Sequence, residues 1–438
     1  MPEPVIYHID VNSAFLSWEA ARRLAEAPDS PDIRTFPAAI GGDETTRHGI
    51  VLAKSPSAKK YGVKTGEPLA QARRKCPQLQ IYPPDYSLYV RRSHEFIELL
   101  RRYAPDVEAY SIDEAFCDMS GTGTLYGDLT LFAHRLKDII ENELAFTVNI
   151  GVSSNRLLAK MASDFEKPNK VHTLFTEEVP LKLWPLPIER LFFVGPSTSK
   201  KLRALGIDTI GALANADYPM IVSTFKAHGD TIWHYANGIE SADLTHTAPA
   251  NKGYGNSVTL PFDVTDTDTA KHILLSLSET VGARLRMEKA YISVVQLQMV
   301  DAEFHHYSRQ MTLPSSTNVT EKIYACACSL LDHFWRHTPL RLLGVYTSRA
   351  TADCYEQYNL FDMDKYERLS KLNSAVDTIR TRFGEDSIKR ACFLEGHSKT
   401  DLKSGPNPHT AAFSKNIPHM TSGMNKAKRE KRAETDQS

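Results

Sequence analysis

A short apolar run at residues 5–9, Val-Ile-Tyr-His-Ile, ends on an acid, Asp10. Farther along, two apolar segments at 107–110 and 115–119 enclose Ser111-Ile112-Asp113-Glu114. Short apolar runs bounded by turn residues read as strands. The first strand therefore carries a carboxylate at its C-terminal tip, and the other two form a hairpin with an Asp-Glu pair at its turn. A chain built this way can bring Asp10, Asp113 and Glu114 together at one edge of a sheet. An Asp-Glu pair is also ordinary turn chemistry, so the spacing alone does not decide, and the surrounding residues must.

Those surroundings mix strands and helices. Helical spacing runs through 13–27, 67–75, 86–103, 125–144 and 155–165, with strands expected at 35–40, 49–53 and 146–152. This order suggests an α/β layer with acids collected at one sheet edge. From about residue 176 the texture changes to short helices interrupted by Pro180, Pro185, Pro187 and Pro196. Residues 240–252 lack periodicity and read as a linker. Residues 254–349 follow the order strand, helix, strand, strand, helix, strand, a twofold βαβ pattern that makes a small separate α+β domain. A helical stretch at 365–383 follows. From 397 the chain is polar and proline-broken, a composition expected to stay disordered.

Composition limits the class without naming a partner. At 438 residues, with 42% hydrophobic and 24% charged content, the chain suits a soluble protein of several domains. No apolar stretch is long enough for a membrane span, and the start lacks a basic segment followed by an apolar one, so a cytoplasmic location is expected. The six cysteines form no CxxC pair, which fits a reducing compartment. A net charge of −1 gives no basic excess for gripping phosphate. Basic groups nevertheless cluster locally, at Lys59-Lys60, Arg73-Arg74-Lys75, Arg91-Arg92 and Lys200-Lys201, and again in the tail at 426–432.

Magnesium takes oxygen ligands and is commonly held by a few carboxylates plus substrate phosphates. Three acids at one edge could hold two such ions for phosphoryl transfer to a hydroxyl. The flanking residues carry a resemblance. Ile9-Asp10-Val11-Asn12-Ser13-Ala14-Phe15 and Tyr110-Ser111-Ile112-Asp113-Glu114-Ala115-Phe116 resemble the two metal-binding motifs of the Y-family (translesion) DNA polymerases. Tyr61-Gly62-Val63-Lys64-Thr65-Gly66 resembles the fingers segment of that family. The pattern from Gly151-Val152-Ser153 through Ala159-Lys160, Ala162-Ser163 and Lys167-Pro168-Asn169 resembles a later palm motif. The DinB type is the nearest in kind, with some UmuC-like features.

The resemblance implies a right-hand α+β multidomain polymerase. Palm would be 1–13 and 83–175, fingers 14–82, a helix-hairpin-helix thumb 176–240, a linker 241–253 and a little finger 254–351. A clamp-binding peptide with a helical extension would occupy 352–396, and a disordered tail 397–438. It assigns Asp10, Asp113 and Glu114 as catalytic and metal-binding, with the Val11 carbonyl as a further ligand for two Mg²⁺ ions. Phe15 falls at the steric gate against ribonucleotides, and Lys59 and Lys167 at the triphosphate of the incoming deoxynucleotide. One departure is Pro56, where the family often carries a tyrosine. Gly195 and Gly206 bracket the helix-hairpin-helix, whose backbone N–H groups would grip primer-template DNA without reading sequence. Gln357-Tyr358-Asn359-Leu360-Phe361 resembles the pentapeptide that docks in the bacterial sliding clamp, with Gln357, Leu360 and Phe361 as its anchors. The enzyme is expected to be monomeric, error-prone and active in damage tolerance.

Two other readings stand beside this one. A non-catalytic scaffold bound to the clamp could keep the fold, although all three acids are present. Gly41-Gly42-Asp43-Glu44-Thr45 resembles the signature of palm-fold diguanylate cyclases, but leaves the hairpin-helix unit and the 254–351 domain without a role.

Overall fold

The computed structural model describes residues 4–42, 49–240, 251–352, 363–384 and 387–393. They fall into two compact units, which part within the segment 241–250; residues 42, 49 and 50 group with the second. The strands of the first unit are β1 (Ile6–Val11), β2 (Ala38–Gly41), β3 (Val51–Lys54), β4 (Gln80–Tyr82), β5 (Asp106–Ala109), β6 (Glu114–Asp118), β7 (Val148–Ser153) and β8 (Val171–Thr173).

Five of them form one sheet in the order β5-β6-β1-β7-β8. Strand β1 lies in the middle, antiparallel to both neighbours, and its register sets Asp10 opposite Glu114 on β6 and opposite Asn149 on β7. Strand β7 is buried at every position and meets the helices Leu129–Leu144 and Arg156–Ser163. A strand enclosed this way favours apolar or small residues, which Val148, Ile150, Gly151 and Val152 supply, and its buried Asn149 is satisfied by donating to the Ser163 carbonyl at 3.0 Å. Gly151 permits a close approach: a Cβ there would lie 1.9 Å from the Ala159 carbonyl oxygen. The helix Arg156–Ser163 starts where the Asn155 side chain accepts a hydrogen bond from the Leu158 N–H at 2.8 Å, a standard N-cap.

A second sheet, β3-β2-β4, packs over Ala58, Val63, Leu69, Ala72, Cys76 and Leu79. Strand β4 has three residues and no sequence signal beyond them, as does β8. The stretch expected as one helix at 125–144 is two, Gly123–Tyr126 and Leu129–Leu144. Gly127 at φ +76 breaks it, and Asp128 caps the second helix by accepting from Leu131 N–H at 2.9 Å. Short helices then build a third core on Leu158, Leu183, Ile188, Leu202, Ile210, Leu213, Ile221 and Ile232.

The second unit has the expected alternation: β9 (Gly255–Val264), helix Thr267–Met287, β10 (Ile292–Asp301), β11 (His306–Thr317), helix Thr320–Phe334 and β12 (Leu340–Ser348). Its antiparallel sheet runs β11-β10-β12-β9, and the two helices bury Ile273, Leu277, Val281, Ile323, Ala327 and Leu330 against Leu297, Leu343 and Val345. The later helix Met363–Phe383 packs on Thr267–Met287. Arg286 pairs with Asp377 at 2.5 Å, and buried Glu279 receives Arg380 at 3.3 Å and Arg390 at 2.5 Å. Ion pairs thus tie the helix Met363–Phe383 and the residues after it to the helix Thr267–Met287.

Candidate active site

The tip of β1 and the β5–β6 turn meet through the backbone: Val11 N–H donates to the Asp113 carbonyl at 2.9 Å. Tyr110 and Ser111 N–H both reach the Glu114 carbonyl, closing the turn that projects Asp113. Asp10, Val11, Asp113 and Glu114 therefore share one end of the sheet. Each carboxylate has its own partner. Lys167 Nζ donates to Asp10 Oδ2 at 3.0 Å and also pairs with Asp164 at 2.8 Å. Ser111 Oγ donates to Asp113 Oδ1 at 2.7 Å, and Lys160 Nζ donates to Glu114 Oε2 at 2.9 Å.

Burial dominates the electrostatics. It pushes the Asp10 carboxyl up to about 7 against the pull of Lys167, with the charges of Glu114 and Asp113 adding to the rise. Asp113 is also raised, first by burial, with Ser111 opposing and Glu114 adding. For Lys167 burial works downward, but Asp10 and Asp164 outweigh it and the ammonium is stabilised. His8, wholly buried beneath the acids, is held well below its ordinary range by burial and then by Lys160, Lys167 and Arg156, so it is a neutral imidazole. The donor set is all hard oxygen, three carboxylates and a backbone carbonyl, which fits magnesium. Among the described residues, the set whose ligand atoms lie within 4.8 Å of one another is a different one, Asp301, Glu303 and His305 in the second unit. Asp10, Asp113 and Glu114 do not all come that close to one another, each being drawn to its own partner.

Phe15 sits on the first turn of the helix Ala14–Glu26, entered through Ser13 at φ +49, and Ser17 Oγ ties that turn back to the Asn12 carbonyl at 2.6 Å. Its ring is half-buried, stacked on Tyr89 at 4.2 Å between centroids and 8° between planes. Tyr86 meets Phe15 edge-on at 6.2 Å, which fixes the ring's attitude. Lys59 stands exposed on the short helix Pro56–Lys60, and among the described residues it touches none of the three acids. Pro56 occupies the first turn of that helix, where its fixed φ and missing N–H are favourable. Gly195 precedes the helix Pro196–Ala204 and Gly206 ends it at φ +78, a left-handed C-terminal cap. Gln357, Leu360 and Phe361 lie outside the described residues, as do Asp43, Glu44 and Thr45.

Comparison with known proteins matches residues 9–164 to the impB/mucB/samB family, 251–360 to the C-terminal domain of that family and 176–207 to its helix-hairpin-helix motif. The chain is 43% identical over 396 residues to a DNA polymerase IV of Clostridium acetobutylicum, covering 90% of this chain and 99% of that one. The chain belongs to the Y-family DNA polymerases. Another relative in this family, DNA polymerase IV of Acetivibrio thermocellus, is 36% identical over 397 residues, covering 89% of this chain and 98% of the other. A solved Y-family DNA polymerase chimera of Dbh and Dpo4 superposes with a TM-score of 0.66 at 21% identity, covering 80% of this chain and all of that one. The fold is thus the right-hand α+β type of the Y-family polymerases. The matched family is one of polymerases, and the cyclase and scaffold readings gain no support from it.

Three residues stand at this Y-family site without having drawn a role from the sequence: His8, Lys160 and Ser163. Lys160 and Ser163 were visible as letters of the palm motif. The bonds of Lys160 to Glu114 and of Ser163 to His8 depend on the packing of helix Arg156–Ser163 against β1, which no spacing rule reports.

Proposed function

We propose that the chain extends a primer 3′-end with deoxynucleotides opposite a DNA template, using two Mg²⁺ ions held by Asp10, Asp113, Glu114 and the Val11 carbonyl. The observation that carries the reading is the register that faces Asp10 with Glu114, together with the Val11–Asp113 backbone bond. When bound, such ions lower the pKa of the primer hydroxyl and neutralise charge on the leaving pyrophosphate. Lys167, already in contact with Asp10, is placed to share its charge with a triphosphate. Lys59 would add a second cation from the helix Pro56–Lys60. In the hairpin unit a Cβ at Gly195 would meet nothing within 4 Å, which leaves the backbone open to a phosphate of primer-template DNA. Low-fidelity synthesis on damaged templates by a monomer in the cytoplasm completes the proposal. Its direct test is Mg²⁺-dependent primer extension on a defined template, with the products sized and sequenced.

Phe15 supplies a sharper test of the same pocket. Its ring is pinned by Tyr89 and Tyr86, so it cannot swing aside for a 2′-hydroxyl. Phe15→Ala should raise ribonucleotide incorporation relative to deoxynucleotide by roughly 100-fold, the scale of discrimination a shaped pocket provides. Unchanged sugar selection in competition assays would remove Phe15 from the gate.

We also propose that Gln357, Leu360 and Phe361 dock into an apolar pocket of the sliding clamp. With all three replaced by alanine, the ratio of synthesis with the clamp to synthesis without it should fall to about one. A ratio that stays at the wild-type value would show that another segment makes the contact.

A further inference from the structure

Lys160 is nearly buried, 7% exposed, yet it carries an ammonium group. A buried cation is costly unless every direction around it is satisfied. Here each is. Nζ donates to Glu114 Oε2 at 2.9 Å and to His8 Nε2 at 3.4 Å. The same nitrogen lies 4.9 Å from the centre of the Tyr110 ring and 5.4 Å from that of Phe192, inside cation–π range. The imidazole that receives it is oriented in turn. Ser163 Oγ donates its proton to the Lys160 carbonyl at 2.8 Å, so toward His8 Nδ1, also at 2.8 Å, it can only accept. That fixes the proton on Nδ1 and leaves Nε2 as an acceptor aimed at the ammonium. His8 is 0% exposed.

The two lysines of the site therefore differ in kind. Lys167 has a side chain 32% exposed and stands at the mouth, where it can meet a substrate. Lys160 is enclosed and already committed, which leaves it no path to a triphosphate. We propose that Lys160 is a positioning residue for the polymerase reaction, held by the Ser163–His8 relay and fixing the carboxylate of Glu114 through Oε2, so that Oε1 would be the oxygen left to hold a metal ion. This inference rests on reading Glu114 as a metal ligand. Groups that orient a ligand from behind typically matter 10- to 100-fold. Removing this one also deletes a positive charge next to a carboxylate, which by Coulomb attraction favours cation binding. Turnover and metal affinity should therefore move in opposite directions, which loss of packing would not produce.

The test uses the full chain with Lys160→Met, His8→Leu and His8→Gln, the last keeping an acceptor near the place of Nε2. Mn²⁺ affinity is measured by electron paramagnetic resonance without nucleotide, and kcat and KM by primer extension at saturating Mg²⁺. Lys160→Met should lose roughly 10- to 100-fold in kcat with little change in KM, while Mn²⁺ binds at least as tightly as in the wild type. His8→Gln should retain most of the kcat that His8→Leu loses. A folded Lys160→Met with wild-type kcat would overturn the proposal, as would Mn²⁺ affinity and kcat falling together. Should Lys160→Met fail to fold, the two His8 variants decide: equal kcat in both removes the relay. Wild-type protein that extends no primer would instead overturn the reading of Glu114 itself.

Discussion

Replacing both Asp113 and Glu114 with alanine should abolish template-directed extension while leaving the chain folded. Each group acts where charge develops in the transition state, and loss of one such group typically costs about 100- to 1,000-fold. Residues that work as a unit are not additive, so the double variant should fall by at least the loss of one group, about 100- to 1,000-fold, toward the assay background. The effect on folding is the balance of two opposed terms. Burial and mutual repulsion raise the Asp113 carboxyl, so its removal relieves a desolvated charge. Removal of Glu114 leaves the buried ammonium of Lys160 with His8 and two rings as its remaining company. Circular dichroism and a thermal melt without divalent cation separate the two effects from chemistry. Chelation of the wild type should mimic the double variant, and added Mg²⁺ should restore only the wild type. Extension surviving in the double variant would remove these acids from the site, whatever the fold.

The acids were legible because their signal is local. Residues 5–9 end on Asp10, and the hairpin around Asp113-Glu114 has apolar arms long enough to be read as strands. Pairing β1 with β6 then needs only an antiparallel register, and the observed one sets Asp10 opposite Glu114. The alternation of the second unit was equally legible, since its helices and strands are long. What escaped depends on contacts distant in sequence. Strands β4 and β8 have three residues each and exist as strands only beside β2 and β7. The break at Gly127 is a single left-handed residue inside an otherwise continuous helical pattern. The docking of helix Met363–Phe383 rests on Arg286–Asp377 and Arg380–Glu279, pairs that look like ordinary surface charges until the helices meet. Lys160 is the clearest case. Its neighbours come from three separate segments: His8 on β1, Tyr110 and Glu114 in the β5–β6 turn, and Phe192 far beyond both. Lys59 shows the converse: its role follows from resemblance, and the described contacts of the acids do not include it.

Gly151→Val should be the most damaging single apolar substitution near the site, although strand propensity alone would rate valine there as favourable. Gly151 lies opposite His8 across the β1–β7 ladder, and the helix Arg156–Ser163 crosses directly over it. An added Cβ would stand 1.9 Å from the Ala159 carbonyl oxygen and 2.5 Å from the Ser163 nitrogen. Both are backbone atoms, so no flexible side-chain end can yield, and the helix itself must lift. Overpacking of this kind costs about 3 kcal/mol or more, which for a unit of this size corresponds to a Tm lower by roughly 6–12 °C. Because Lys160 and Ser163 ride on that helix, displacement also draws the ammonium away from Glu114. The loss of kcat should therefore exceed what the unfolded fraction explains, when activity is assayed well below the melt. Gly151→Ala isolates the Cβ from the larger side chain and should show most of the effect. Gly195→Ala is the control: a Cβ there meets nothing within 4 Å, and Tm should stay within about 1 °C. A Gly151→Val protein with unchanged Tm and kcat would mean that the helix has room to move, and the tight coupling between β7 and the Lys160–Glu114 pair would have to be abandoned.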